Sequence, residues 1–247
     1  MPYSEQQITS RRQWSENIFT FTTTRPEGFE FKNGQFVTLG LRPQKKLISR
    51  AYSIVSSSDA EQLEFLSICI PDGPLTSELS RADEGNPIWI NTKSTGSLTL
   101  EHVLPGRHLY MLATGTGLAP FVSLLRGAEI FSAFEKVVLV HTVRDQKGLA
   151  YRDELEALNS NEFIYLPTVT REPFKTSQRG TDLFYSGALS SKLELPDIDP
   201  QFDRVMLCGN PNMNREMTDH LNQNGWTMTN YKGVGNYTVE QAFVLPR

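Results

Sequence analysis

Cysteine is scarce in this chain, with two residues, Cys69 and Cys208, among 247. They form no CxxC pair and no cluster, whereas an iron–sulfur centre or a structural zinc draws on about four ligands. A free pair of this kind fits a reducing cytoplasm. Long apolar runs are also missing. The greasiest stretch, His108 to Leu125, is divided by Gly115, Gly117 and Pro120, which suits a strand, a turn and a helix better than a membrane span. The opening MPYSEQQITSRRQW lacks the apolar centre of a secretory signal. The formal net charge of −4 argues against a general nucleic-acid binder. HExxH, GxSxG and Walker A patterns are absent, and His102, His108, His141 and His220 show no ligand spacing. The common metalloprotease, hydrolase and kinase readings therefore fall away.

What is present is a change of rhythm. Up to about residue 100 the segments Ile18–Thr23, Gln35–Leu41, Ala51–Val55, Leu63–Ile70 and Pro87–Asn91 are short, rich in β-branched or aromatic residues and punctuated by Gly, Pro, Asn or Asp. They predict an antiparallel barrel or sandwich with one short helix near Ser77. From Leu109 onward LYMLAT, KVVLVHTV, FIYLPTVT and RVMLCGN read as buried strands. FVSLLRGAEIF, YRDELEALN and NREMTDHLNQN read as helices. That alternation predicts a doubly wound parallel α/β sheet. The expected division is a β-barrel over residues 1–103 and an α/β domain over 104–247, meeting in HVLPGRH.

Several constellations bear on chemistry. In Arg50-Ala51-Tyr52-Ser53 the period of two puts Arg50 and Tyr52 on one face, where a guanidinium can grip a pyrophosphate and a ring can lie on a heteroaromatic. The same residues also suit an edge-strand arginine beside a packed tyrosine. Gly73-Pro74-Leu75-Thr76-Ser77 reads as a turn in which Thr76 or Ser77 caps a short helix, and free N–H groups there suit phosphate. Gly115-Thr116-Gly117-Leu118-Ala119-Pro120 lies between strand and helix, as a nucleotide-binding turn does, although it lacks the full GxGxxG. No acid ends the next strand to take ribose hydroxyls. Glu135 is at its start, and its end carries Arg144. Together with Arg171 and Arg179, Arg144 favours NADP over NAD. Cys208-Gly209-Asn210 follows a strand, where Cys208 serves either as a small apolar residue or as a soft wall for a nicotinamide. The C-terminal stretch reads either as a last strand or as a flap bearing Phe243, with Glu240 its one carboxylate able to relay a proton. Arg42, Lys45, Lys46 and Arg50, with no acid among them, form either a solvated loop or a docking patch for an acidic partner.

In the order RAYS, GPLTS, GTGLAP, VR, TRE, CGNP and VEQAF, the chain resembles the bacterial-type ferredoxin/flavodoxin–NADP reductases over essentially its whole length. The resemblance implies FAD on the barrel and NADP on the α/β domain. Arg50, Ala51, Tyr52, Ser53 and Ile68 would hold FAD, with Gly73, Leu75, Thr76 and Ser77 on its phosphates. Thr116, Ala242 and Phe243 would also reach it. NADP would meet Gly115, Gly117, Cys208, Gly209 and Asn210, with Arg144, Arg171 and Arg179 on its 2′-phosphate. Ser53, Cys208 and Glu240 would serve the reaction itself. The implied partners are ferredoxin or flavodoxin and NADPH, and the implied state is a cytoplasmic monomer. Plastid-type members end in an aromatic residue over the flavin. Here Ala242 stands in the comparable region and further residues follow, as in one bacterial subgroup. An oxygenase-feeding reductase or a free-flavin reductase would share this fold, and a non-catalytic nucleotide-binding module is the alternative from another class.

Overall fold

Six antiparallel strands build the first unit. In the computed structural model, which describes residues 3–43 and 46–241, they are β1 (Tyr3–Gln13), β2 (Ile18–Thr24), β3 (Phe36–Leu41), β4 (Ile48–Ser53), β5 (Gln62–Ile68) and β6 (Pro87–Asn91). They pair antiparallel in the order β4-β3-β6-β1-β2-β5. Just beyond β4, Ile54 bridges to Phe65 of β5, and the Val55 N–H donates to the Glu64 carbonyl at 2.8 Å. These links bring the two ends of the sheet together, so it is a nearly closed barrel. Phe19, Phe21, Phe65, Val37, Leu39 and Ile90 fill it with no more than 2% exposure, and Leu79 of the one-turn helix α1 (Thr76–Leu79) joins that core.

The long first strand has no counterpart in the predicted elements. Only Ile8 of its eleven residues is buried, so it carries little hydrophobic alternation to read. Hydrogen bonding on both edges holds it instead: Tyr3–Gln7 pair with β6 and Ile8–Gln13 with β2. The register shift between Ile8 and Ser10 bends the strand from one neighbour to the other, as a bulge does. Helix α2 (Ala119–Arg126) also belongs to this unit. There Ser123 Oγ donates to the Ser56 carbonyl at 2.9 Å, and Arg126 pairs with Glu64 at 2.5 Å. The predicted helix over FVSLLRGAEIF is broken. It stops at Arg126, passes Gly127, and resumes as α3 (Glu129–Ala133) after Ala128 takes a φ of 60°.

The second unit, Ser97–Leu118 with the residues from Ala128 onward, is a parallel sheet. Its strands are β7 (His108–Thr114), β8 (Lys136–Val143), β9 (Phe163–Val169), β10 (Arg204–Gly209) and β11 (Tyr237–Gln241), in the order β11-β10-β7-β8-β9. Residues of β7, β8 and β10 are buried almost without interruption, as strands covered on both faces must be. Tyr110, Leu112, Val138 and Leu207 pack with residues of α5 (Gly180–Tyr185), α6 (Ala188–Leu193) and α7 (Pro211–Gln223). A further short helix, α4 (Arg152–Ala157), precedes β9. At the N-terminal ends of β7 and β10 the wholly buried Asp203 takes two hydrogen bonds from Arg107, at 2.9 and 3.1 Å. The chain runs outward from β7 through β8 to β9 and then returns to place β10 on the other side of β7. The order therefore reverses between β7 and β10, and ligands of doubly wound sheets bind at the C-terminal ends beside such a point.

Candidate functional site

Thr114 ends β7 at that reversal, and its Oγ1 accepts the Asn210 N–H at 2.7 Å. The chain then makes a tight turn over Gly115–Leu118. Gly115 takes a φ of 54°, which favours glycine, and its carbonyl accepts a hydrogen bond from His141 Nε2 at 3.1 Å. His141 is fully buried in β8, and burial pushes its pKa down to about 4, so the ring is neutral and its proton sits on Nε2. The second glycine has a local purpose. A Cβ on Gly117 would lie 2.3 Å from the Cys208 carbonyl oxygen, and one on Gly209 would lie 2.1 Å from Thr114 Oγ1. Both glycines let the β7 turn rest on the end of β10.

Around these strand ends lies a cavity of about 270 Å³, walled by Thr114, Thr142, Arg179, Gly180, Asn210 and Glu216 among others. Asn210 caps α7, its side chain accepting the Asn212 N–H at 2.8 Å ahead of Pro211. Arg179 precedes α5 and holds Asp182 through two hydrogen bonds of 2.9 and 2.7 Å. Arg144 and Arg171 are brought together by their backbones, the Arg171 N–H donating to the Arg144 carbonyl at 2.8 Å, and both side chains are exposed. Cys208 is wholly buried, and burial, with Glu240 opposite it on β11, pushes its thiol pKa up. The cavity gathers threonine hydroxyls, an asparagine side chain and a guanidinium at strand ends, and a guanidinium beside hydroxyls suits a phosphorylated nucleotide.

In the barrel unit, β4 lies at one end of the strand order, with Arg50 opposite Leu39 and Tyr52 opposite Val37. Tyr52 is half-buried. Its ring meets Phe21 and Phe65 edge-on at 6.3 and 6.4 Å, its hydroxyl pairs with Ser67 Oγ at 3.1 Å, and burial raises its pKa. Arg50 is exposed. Among the described residues its guanidinium makes one hydrogen bond, to the Ser49 carbonyl at 2.7 Å, and so keeps donors to spare for an anion. Ser53 and Ile68 are half-buried at the ends of β4 and β5. The turn before α1 differs from its predicted capping. Leu75 occupies the cap position with no side-chain hydrogen bond, Ser77 Oγ donates back to the Gly73 carbonyl at 2.6 Å, and Thr76 Oγ1 donates to the Ile70 carbonyl at 3.3 Å. The hydroxyls thus brace the turn from behind and leave the helix start uncapped. Ala242 and Phe243 lie outside the described residues, as does Lys45.

Residues 5–98 match the family described as oxidoreductase FAD-binding domain, and residues 111–219 match the oxidoreductase NAD-binding domain. Over 253 aligned residues, spanning 98% of this chain and 98% of the relative, the sequence is 44% identical to a ferredoxin–NADP reductase of Pseudomonas aeruginosa. The chain belongs to the ferredoxin–NADP reductase family. A second family member, the flavodoxin/ferredoxin–NADP reductase of Rhodobacter capsulatus, is 39% identical over 97% of this chain and 93% of its own. The crystal structure of a ferredoxin NADP+ reductase from Neisseria gonorrhoeae with bound FAD and NADP superposes with a TM-score of 0.93 at 32% identity, covering 98% of this chain and all of that one. The chain is therefore a flavin-dependent reductase whose barrel strands carry the FAD-binding match and whose parallel sheet lies largely in the NAD-binding match.

Four structural features of this reductase escaped the sequence reading: Thr142, Thr181 and Glu216 on the cavity wall, and His141 beneath the glycine turn. Thr142 had a usable signal, since it is next to last in a buried strand, at the end where such sheets bind ligands. A second cavity, of about 370 Å³, is lined by Arg25, Glu30, Lys32 and Ser58 in the barrel unit. Its arginine is committed to the carbonyls of Phe29, Ser58 and Ala60, and none of the anticipated FAD residues lines it.

Proposed function

We propose that this reductase takes a hydride from NADPH and delivers single electrons to ferredoxin or flavodoxin. The observation that carries this reading is the cavity at the reversal between β7 and β10, walled by Arg179, Gly180 and Asn210, in a chain whose other unit is an FAD-binding barrel. The bound flavin supplies the exchange between two-electron and one-electron chemistry, which no side chain here can perform.

The residues supply binding and orientation. Arg50 contributes spare guanidinium donors to a pyrophosphate, and Gly73 to Ser77 offer a braced turn to phosphate. Tyr52, wedged against Phe21 and Phe65, is a rigid surface for a heteroaromatic ring. Ser53, next on β4, provides a hydroxyl near that ring. In the second unit Arg144, Arg171 and Arg179 hold the 2′-phosphate, and Thr116 stands in the turn that starts the nucleotide site. Cys208 keeps its proton because it is buried, so it walls the nicotinamide pocket without attacking anything. Glu240, aligned with Cys208 across β10 and β11, is the carboxylate that can pass a proton beside it.

Two measurements test this. The purified protein should show a flavin absorption spectrum that NADPH bleaches anaerobically and that ferredoxin restores. Arg144→Ala should weaken NADPH about tenfold or more, the worth of a charge-assisted hydrogen bond, and leave NADH nearly unchanged. An equal loss with both nucleotides would refute the 2′-phosphate assignment.

A further inference from the structure

Arg179 stands where two acids reach one guanidinium. It occupies the position before α5 in extended backbone, with φ −66° and ψ 141°. Its side chain turns onto the first turn of that helix, where Nε and Nη2 donate to the two carboxylate oxygens of Asp182 at 2.9 and 2.7 Å. That is the bidentate fork, and it fixes the plane of the guanidinium. The remaining nitrogen, Nη1, lies 3.6 Å from Glu216 Oε2 on α7. This separation exceeds hydrogen-bond length, so Glu216 acts there through charge. Glu216 and Arg179 both line the cavity at the strand ends, and Asp182 does not.

We propose that Asp182 and Glu216 divide Arg179 between them: Asp182 is a positioning residue that aims the guanidinium, and Glu216 competes with a nucleotide's 2′-phosphate for its open edge. The pair of acids thereby sets how strongly the reductase prefers 2′-phosphorylated nucleotides. This deepens the reading of the cavity as an NADP site and rests on it. The physical reason lies in the geometry of one planar cation. With Nε and Nη2 committed to Asp182, a dianionic phosphate is left the edge bearing Nη1, beside a fixed negative charge on α7. Neutralising Glu216 removes that competitor and leaves the aim of Arg179 intact. Neutralising Asp182 leaves the charge of Arg179 intact and removes its aim. The two acids, both about half exposed, therefore act in opposite directions on one ligand.

The test is calorimetric titration of the flavin-loaded protein with 2′,5′-ADP and with 5′-AMP, which differ only in the 2′-phosphate. Exposed ion pairs are weak, so the expected changes are about two- to fivefold. Glu216→Gln should tighten 2′,5′-ADP by that factor and leave 5′-AMP unchanged, and the gain should shrink at high salt. Asp182→Asn should weaken 2′,5′-ADP comparably, and that effect should vanish in an Arg179→Ala background. A Glu216→Gln protein with an unaltered ratio of the two affinities, or with both ligands shifted alike, overturns the proposal. A wild-type protein with no preference between the ligands overturns the NADP reading itself, and that outcome is visible before any variant is made.

Discussion

His141 is a side chain whose burial and hydrogen bonding oppose each other. Its Nε2 proton serves the Gly115 carbonyl at 3.1 Å, a contact that favours the protonated ring, yet full burial dominates and the pKa falls to about 4. The unfolded chain, with an ordinary histidine pKa of about 6.5, binds this proton first as the solution is acidified. Stability from this group is therefore complete above about pH 6.5 and is lost progressively as the pH falls toward 4. At pH 5 the loss amounts to about 2 kcal/mol. Denaturant unfolding at pH 7 and pH 5 should show wild type losing about that much more than His141→Gln, whose amide keeps a donor for Gly115 and does not titrate. If the two proteins lose the same amount, the ring is not held neutral.

Among the elements, α7 is the one whose start is best defined. Asn210 accepts the Asn212 N–H and Pro211 fills the first helical position, where its missing donor does no harm. Asn210→Ala should lower stability by about 1 kcal/mol, and Asn210→Asp should keep most of it. Thermal melts of the three proteins compare these directly. The sequence showed α7 through its helical pattern but not this start, and the contrast holds elsewhere. Strands β7, β8 and β10 were legible because both of their faces are buried and their residues run apolar without a break. Strand β1 was not, because pairing on both edges holds a segment that buries little more than Ile8. Helices α5 and α6 were missed for a different reason: each is six residues long, and Gly180 and Gly187 stand at their starts. The same limit applied to the site. GTGLAP and the three arginines could be proposed from local pattern, and of those arginines Arg179 lines the cavity. The pairing of Arg179 with Glu216 joins α7 to the segment before α5, and nothing in either stretch names the other.

For the molecule as a whole, charge is the property that bears on its protein partner. The chain carries a formal net charge of −4, so an acidic electron carrier meets overall repulsion unless positive charge is concentrated where it docks. Arg42 and Lys46 are exposed next to β3 and β4, and Arg42 is steadied over the ring of Trp89 at 4.7 Å. Electrostatic steering by such a patch raises association rates on the order of ten- to a thousandfold at low salt, and it fades as the ionic strength grows. Reduction of an acidic ferredoxin under limiting carrier should therefore slow steeply between low and physiological salt. Reduction of an uncharged dye by the same protein should barely change. Lys46→Glu should lower the low-salt rate with ferredoxin and flatten its salt dependence, while dye reduction stays at the wild-type rate. A variant that keeps both the rate and the slope would mean that the carrier approaches over some other surface, since a charge reversal inside the docking patch must alter the field the carrier meets.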